Sequence, residues 1–208
     1  MAPGSRWTYR ETDQEGGNQK VVVTVADRVK RVASGVTARV VRDTVIEDGK
    51  LVEDTFDWYA QDKEGNVWYL GEDTAEFENG KVSTKEGSFE AGVKGAQAGI
   101  IMPARPKTGM RYRQEYLKGQ AEDKGEILST DEMAEVPFGH FRNALLTKDT
   151  VGIEPNVLEY KLYVKGLGPV LTLGVSGGPG SREELIKRDT ATEKEAVRAG
   201  TIPLGKRY

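Results

Sequence analysis

Apolar and polar side chains alternate along short segments of this chain, and tight-turn sequences separate those segments. A period of two places successive side chains on opposite faces of a β-strand, so the pattern predicts a β-rich fold. Asp48-Gly49 and Asn79-Gly80 are dipeptides that two-residue hairpin turns favour, and Lys63-Glu64-Gly65 fits a three-residue hairpin loop. Together these turns predict a four-stranded antiparallel meander over residues 36–84.

Further alternating segments continue towards the C-terminus without an internal repeat or a linker. We therefore predict an all-β fold, a large curved antiparallel sheet or open barrel of about ten strands, as one domain over residues 1–189. Residues 87–107 are rich in Gly and Pro and are expected to form a long loop covering part of the sheet. Residues 190–208 are expected to form a short C-terminal helix or tail outside the core.

The composition argues against several classes of protein. The chain has 30 Lys and Arg against 33 Asp and Glu, a net charge of −3, whereas a nucleic-acid-binding protein carries a basic face. It has no Cys and one His, so thiolate and multi-His metal sites are excluded. We expect neither a metal nor a cofactor. No apolar run approaches the roughly 20 residues of a membrane helix, so no transmembrane segment is predicted.

The predicted turns set the strand register, and the register assigns side chains to faces. The three-residue loop predicts Tyr59 opposite Tyr69 and Trp58 opposite Leu70, while the turn at Asp48-Gly49 predicts Val41 opposite Phe56. One face is then apolar apart from Glu72, and contains Val41, Val45, Val52, Phe56, Trp58, Ala60, Trp68 and Leu70. The other face combines aromatic and acidic side chains, and contains Val40, Asp57, Tyr59, Tyr69 and Asp73.

Tyrosines flanked by carboxylates suit a semi-polar cavity, so the aromatic and acidic face is the candidate binding surface. A second alternating segment near residue 160 presents Lys161 and Tyr163 in the same way. Pairing of Lys161 with Asp57 or Asp73 would keep it charged and favour an anion or a polar headgroup as ligand. The alternative is that both faces are simply solvated. The predicted ligand-binding residues are Asp57, Tyr59, Tyr69, Glu72, Asp73, Lys161 and Tyr163.

Three other motifs have simpler structural explanations. Ser176 lies in a Gly-x-Ser-x-Gly sequence, but the only histidine precedes it and Pro179 follows where a helix should begin. His140 is a possible general base, yet it also fits a strand residue beside a turn. Asp62, Glu64 and Asn66 alternate like calcium ligands, but the Gly and Glu of a calcium loop are missing at the required positions.

The segment Asp57–Thr74, with the sequence DWYAQDKEGNVWYLGEDT, resembles the hallmark of a bacterial family of exported, often lipid-anchored proteins of unassigned function. Segments 3–9, 112–116 and 159–168 resemble the same family. The resemblance implies export to the periplasm, cell envelope or exterior, and a large antiparallel sheet like that of lipoprotein-carrier folds. It implies no particular reaction. The first residues do not read as a signal peptide, which by itself fits either a cytosolic protein or a processed exported one.

These observations favour a binding module that holds a small or lipid-like amphiphilic ligand on the concave face of the sheet. One alternative is a metal-independent enzyme that uses carboxylate, Lys or Tyr acid–base chemistry in the same cavity. Another is an envelope interaction protein without a pocket. The sequence leaves open the identity of the ligand, whether the chain is an enzyme, and its oligomeric state.

Overall fold

The computed structural model describes residues 1–208 and shows an all-β protein with one short helix, as predicted, although it has more strands than expected. No helix in it has both the length and the apolar composition needed to cross a bilayer. The helix α1 comprises Glu193–Thr201. The fifteen strands are β1 (Ser5–Asp13), β2 (Asn18–Arg31), β3 (Thr37–Glu47), β4 (Lys50–Gln61), β5 (Val67–Glu78), β6 (Lys81–Thr84), β7 (Phe89–Glu90), β8 (Gln97–Met102), β9 (Arg111–Arg113), β10 (Glu115–Tyr116), β11 (Asp123–Val136), β12 (Gly139–Val151), β13 (Leu158–Val164), β14 (Gly168–Ser176) and β15 (Ser181–Thr190).

The strands form one antiparallel sheet that curves into a nearly closed barrel. Their order is β10-β8-β5-β4-β3-β2-β1-β15-β14-β13-β12-β11-β9, with β6 and β7 also pairing with β5. β9 and β10 follow each other along the chain but pair with opposite ends of this order, so residues 111–116 bridge the seam. Gly99 allows the close approach there, because a Cβ at this position would lie 2.3 Å from the carbonyl carbon of Gln114.

An apolar cluster fills one end of the barrel interior. Tyr9, Val21 and Leu185 lie opposite one another on β1, β2 and β15 and point inwards. The far end of the β11–β12 hairpin adds Ala134, Val136 and Ala144 to this cluster. The backbone N–H of Phe138 at the hairpin turn donates to Leu185 O, which ties the hairpin to β15. The rest of the interior also contains buried polar side chains, among them Asp57, Thr147 and Asp149.

A second apolar cluster lies on the outer face of β2–β5 and is covered by the C-terminal segment. Trp58, Leu70 and Val40 are buried there against Ala199 of α1. The helix begins at a capping box in which Thr192 and Glu195 satisfy each other's backbone N–H groups. The segment expected to lie outside the core therefore packs against the sheet, because the apolar outer face needs a cover.

A buried ion pair on this outer face holds the C-terminal segment in place. Arg42 and Asp54 are 0% and 1% exposed and form a bidentate contact across β3 and β4. Carbonyl oxygens of residues 202–206 accept further hydrogen bonds from Arg42, and Gly205 N–H donates to Asp54 Oδ2 over 2.7 Å. The Tyr208 ring stacks over the guanidinium at 4.1 Å. The C-terminal backbone thus completes the solvation of a charge pair that would otherwise be incompletely bonded.

The predicted hairpin turns are present. Asp48, Gly49, Asn79 and Gly80 all have positive φ, as two-residue hairpin turns require, and Gly65 has φ +98° in the third loop. The predicted pairing of Tyr59 with Tyr69 is confirmed, as is the burial of Trp58 on the same side as the half-buried Trp68.

Two bulges overturn part of the predicted register. A shift between Val45 and Ile46 pairs Val41 with Asp57 instead of Phe56, so Val41 points into the barrel and Val40 points outwards. A second shift, after Asp57, leaves Trp58 without a single partner opposite Leu70. Each extra residue inverts the face of everything beyond it, because side chains alternate with a period of two.

The segment 87–107 is more ordered than a covering loop. It contains β7 and β8, which both pair with β5 and extend the sheet. Phe89 on β7 is buried against the Tyr69 ring, so this segment closes the interior beside the candidate site.

We expect Arg42→Met to lower the free energy of unfolding by about 3–5 kcal/mol, because it leaves the buried Asp54 carboxylate without its counter-charge. Urea unfolding followed by Trp fluorescence measures the change. Arg10→Met is the matched control, since Arg10 pairs with Glu184 at the surface and should cost less than about 1 kcal/mol. Equal losses for the two variants would contradict a structural role for the buried pair.

Candidate functional site

A bulge at Gly71 decides which carboxylates of β5 face the interior. Gly71 has φ +127°, and a Cβ there would lie 2.2 Å from Phe89 O, so glycine is required. The bulge pairs Glu72 with Asp57 and turns both into the barrel. Asp73 consequently lies on the outer face, where it contacts Lys85 Nζ at 2.5 Å. The expectation that Asp73 shares the aromatic face, and that Glu72 interrupts the apolar one, is therefore wrong.

The Tyr69 hydroxyl lies between two carboxyl groups. It is 2.7 Å from Asp57 Oδ1 and 2.6 Å from Glu72 Oε2. A phenol has one hydrogen to donate, so it can satisfy only one of these contacts as a donor. The second short contact is favourable when the other carboxyl group is protonated and donates to the phenol oxygen. The three side chains thus form a hydrogen-bonded unit, the Asp57–Tyr69–Glu72 triad.

The environment of the triad favours this shared proton. Burial raises the pKa of Asp57 to about 7, against the opposing effect of the Tyr69 hydrogen bond. Burial, together with the charge of Asp57, raises the pKa of Glu72 to about 8. Both carboxyl groups therefore titrate near neutrality, the range that binding and acid–base sites use.

Aromatic rings form one wall of the site. Tyr59 and Tyr69 stack with ring centroids 5.0 Å apart, and Phe89 meets Tyr69 edge-on at 5.6 Å. Ile101 and Leu117 pack against the same cluster. The triad thus has a polar side formed by carboxylates and a neighbouring apolar side formed by rings.

Lys161 lies in the interior on β13, with Tyr163 on the same face. Its Nζ is 3.2 Å from Asp149 Oδ2 and 3.0 Å from Glu159 Oε2. Burial opposes its charge, but Tyr163, Glu159 and Asp149 outweigh that effect and raise the pKa of Lys161. The predicted partners Asp57 and Asp73 are replaced by carboxylates of the same and the adjacent strand. Because 26% of the Lys161 side chain is exposed, the interior retains accessible space here.

Several interior carboxylates escaped the sequence analysis. Their pKa values are raised primarily by burial, for Asp123 to about 6, for Glu183 to about 7 and for Glu115 to about 8. Burial is also the main reason why the pKa values of Asp43 and Glu53 are raised. Asp43 interrupts the apolar alternation of Val41 and Val45, and this pattern could have identified it as an interior carboxylate. No sequence pattern marks Glu115 and Asp123 in this way, since only the pairing at the seam brings them near the triad.

Four buried polar atoms around this interior have no hydrogen-bond partner: Asp43 Oδ1, Tyr112 OH, Thr147 Oγ1 and Asp149 Oδ1. Thr147 lies opposite Lys161 and is 0% exposed. Asp149 uses its other oxygen to accept from Lys161 and from Gln114 Nε2, the latter at 3.1 Å. Unpaired buried polar groups are uncommon in folded proteins and call for an explanation.

Two clefts lie near the ends of the site. One of about 670 Å³ is lined by Lys63, Arg105, Arg111 and Tyr112, among others. Tyr112 lies between this cleft and the Lys161 cluster. Its ring packs over Gly125, and Tyr163 and Asp149 contribute to raising the pKa of its hydroxyl. A smaller cleft of about 260 Å³ is lined in part by Tyr59 and Arg39.

The remaining motifs have the structural roles that their simpler explanations suggested. Asp62 accepts hydrogen bonds from Trp68 and Asn66. These bonds stabilise the hairpin loop and lower the pKa of Asp62. His140 is exposed near Glu135, and Ser176 donates to Asn156 O at the surface. None of these three lies with the interior cluster.

The chain has a distant structural neighbour among known proteins. No protein-family model matches the chain, and no curated protein sequence matches it significantly. A crystal structure of a protein predicted to be a lipoprotein, from Parabacteroides distasonis, is similar over 90% of this chain and 96% of that one, with 13% identity and a TM-score of 0.38. The resemblance of Asp57–Thr74 to an exported family stays a prediction.

We expect Gly71→Ala to destabilise the protein by about 3 kcal/mol, because the methyl group would overlap Phe89 O and the φ value is unfavourable for alanine. Chemical denaturation measures the loss. Gly80→Ala is the control: its φ is also positive, but nothing lies within 4 Å of the added Cβ, so about 1 kcal/mol is expected. Similar costs at the two positions would show that the bulge is not sterically required.

We expect the melting temperature to fall as the pH rises through the range in which the interior carboxylates ionise. The pKa values of Asp57 and Glu72 rise on folding from 3.8 and 4.5 to about 7 and about 8, so the folded state holds more protons over this interval and loses stability with increasing pH. The double variant Asp57→Asn, Glu72→Gln should show a shallower fall in calorimetry. An unchanged slope would mean that these groups ionise freely in the folded protein.

Proposed function

We propose that this protein is a binding module that holds a small ligand inside its barrel, beside the Asp57–Tyr69–Glu72 triad and Lys161. The observation that carries the proposal is the set of buried polar atoms without partners at Asp43, Tyr112, Thr147 and Asp149. A barrel interior selected for stability alone would be filled by apolar side chains, as it is at the opposite end of this molecule. A ligand would supply the missing hydrogen bonds.

The chemistry of the wall supports a ligand that is polar on one side and apolar on the other. Tyr59, Phe89 and Leu117 provide apolar contact area, while the triad and Lys161 provide hydrogen-bonding groups. A mixed lining of this kind is typical of small-molecule sites, in which a few polar groups orient an otherwise apolar contact. The set of binding residues is thus Asp57, Tyr59, Tyr69, Glu72, Lys161 and Tyr163, without Asp73. We further propose that the protein is exported, on the resemblance of residues 57–74.

Native mass spectrometry of the purified chain should detect a bound small molecule. Thr147→Val should reduce its occupancy while leaving stability unchanged or up to about 1 kcal/mol higher, because valine keeps the shape but removes an unpaired buried hydroxyl. Thr44→Val is the matched control, since Thr44 donates to Val22 O and lies on the outer face. A ligand-free protein that no small-molecule panel stabilises would contradict the proposal and favour an interaction protein.

The triad also favours a second candidate, an enzyme that uses these carboxyl groups as general acid and base without a metal. The supporting observation is the Tyr69 hydroxyl shared by two carboxyl groups whose pKa values lie near neutrality. If the bound molecule is converted, Glu72→Gln should abolish its turnover and preserve its binding. Recovery of the same unaltered molecule from the wild type and the variant would favour a binding protein.

A further inference from the structure

We propose that the ligand is an organic cation with N–H donors, an alkylammonium or guanidinium compound, whose charged group contacts Asp57 and Glu72 and whose apolar part lies along Tyr59 and Phe89. This inference rests on the proposed binding function. It goes beyond it by naming the ligand's charge and its hydrogen-bonding character.

The first support is an uneven distribution of charge inside the barrel. On β13, Lys161 lies between Asp149 and Glu159 and is paired with both. On β4 and β5, Asp57 and Glu72 face each other with Tyr69 between them. No cation is among the neighbours that shift the pKa of Asp57 or of Glu72 most strongly. These two carboxyl groups thus lack the counter-charge that Asp149 and Glu159 have.

The groups that face the triad directly are acidic or phenolic. Asp43, Glu53 and Tyr59 face the triad from β3 and β4, and Glu115 and Asp123 face it across the seam. Arg39 lies towards the end of the same row of β3, but it is directed to Asp27 and to backbone carbonyls of Ala26 and Arg28. Lys161 lies close enough to lower the pKa of Asp123, but its ammonium group is paired with Asp149 and Glu159.

Lys161 shows that this interior accommodates an ammonium group. Its Nζ is held within 3.0–3.2 Å of two carboxylates, and it reaches them from the wall of the barrel. A ligand ammonium at the triad would reproduce that arrangement between Asp57 and Glu72. A free Lys161 would have favoured an anionic ligand. Because the charge of Lys161 is already paired with Asp149 and Glu159, this lysine does not favour an anion.

The unpaired atoms indicate the same polarity. Asp43 Oδ1 and Asp149 Oδ1 are carboxyl oxygens without hydrogen-bond partners. Burial raises the pKa of Asp43, but a protonated carboxyl group still has an oxygen that accepts. A ligand that donates can therefore satisfy either residue. Ammonium and guanidinium groups carry several N–H donors together with the positive charge, so one group meets both requirements.

The aromatic wall favours an organic cation over a metal ion. The faces of the stacked Tyr59 and Tyr69 rings attract organic cations and pack against their carbon atoms. No three carboxylates converge closely enough to hold a metal ion.

Isothermal titration calorimetry with phenethylamine, phenethyl alcohol and phenylacetate tests the inference, because the three share a ring and differ in charge. At about pH 8 the amine should bind at least about tenfold more tightly than the alcohol, and phenylacetate should not bind. Affinity for the amine should fall about tenfold or more on going to about pH 6, because the raised pKa values of Asp57 and Glu72 mean that protons must be displaced. Affinity for the alcohol should stay constant.

The double variant Asp57→Asn, Glu72→Gln should lose the preference for the amine and keep its affinity for the alcohol, which shows that the site remains folded. Asp73→Asn is the control, since Asp73 neighbours Glu72 in sequence but lies outside the barrel, and it should bind like the wild type. Equal binding of amine and alcohol would overturn the inference and leave the binding function standing. A protein that carries a co-purified ligand but does not bind the amine would also overturn the inference. Calcium binding that the double variant abolishes would overturn it as well.

Discussion

Closure of the sheet is the constraint from which the other features of this molecule follow. Residues 111–116 pair with β11 on one side and with β8 on the other, so the two ends of a long antiparallel sheet meet through six residues. Closure removes most exposed strand edges and creates an inside and an outside with different requirements. The same segment contributes to the site, because Gln114 donates to Asp149 inside the barrel.

The protein handles buried charge differently on its two faces. Outside, Arg42 and Asp54 form an opposite-charge pair, and the C-terminal backbone supplies the remaining hydrogen bonds, so the arrangement is complete without any other molecule. Inside, Asp57 and Glu72 are like charges that share one tyrosine hydroxyl and retain protons near neutrality. The outer arrangement serves stability. The inner one reduces stability as the pH rises, which fits a site whose counter-charge comes from a ligand.

Much of the site could be predicted from local patterns, and the errors in assigning side chains to faces share one physical cause. The pairing of Tyr59 with Tyr69 followed from the loop at Gly65, because loop length sets the register of a hairpin. Glu72 and Asp73 were assigned to the wrong faces because Gly71 adds a residue to β5, and one extra residue inverts everything beyond it. An isolated glycine inside a strand pattern is a recognised sign of a bulge, so this correction was within reach of the sequence. The partners of Lys161 were not, since no local pattern specifies which distant strand lies opposite.

Local sequence patterns are sufficient to predict the main strands, the turns and the presence of an aromatic, acidic face, because these depend on neighbouring residues and on a period of two. The assembled sheet is needed to establish that this face is the interior of a barrel, that the apolar face lies outside beneath α1, and that Asp149 and Glu159, rather than Asp57, neutralise Lys161. Those outcomes depend on the order in which strands far apart in the chain meet. That order is set by closure of the whole sheet, to which every segment contributes and which no single segment encodes.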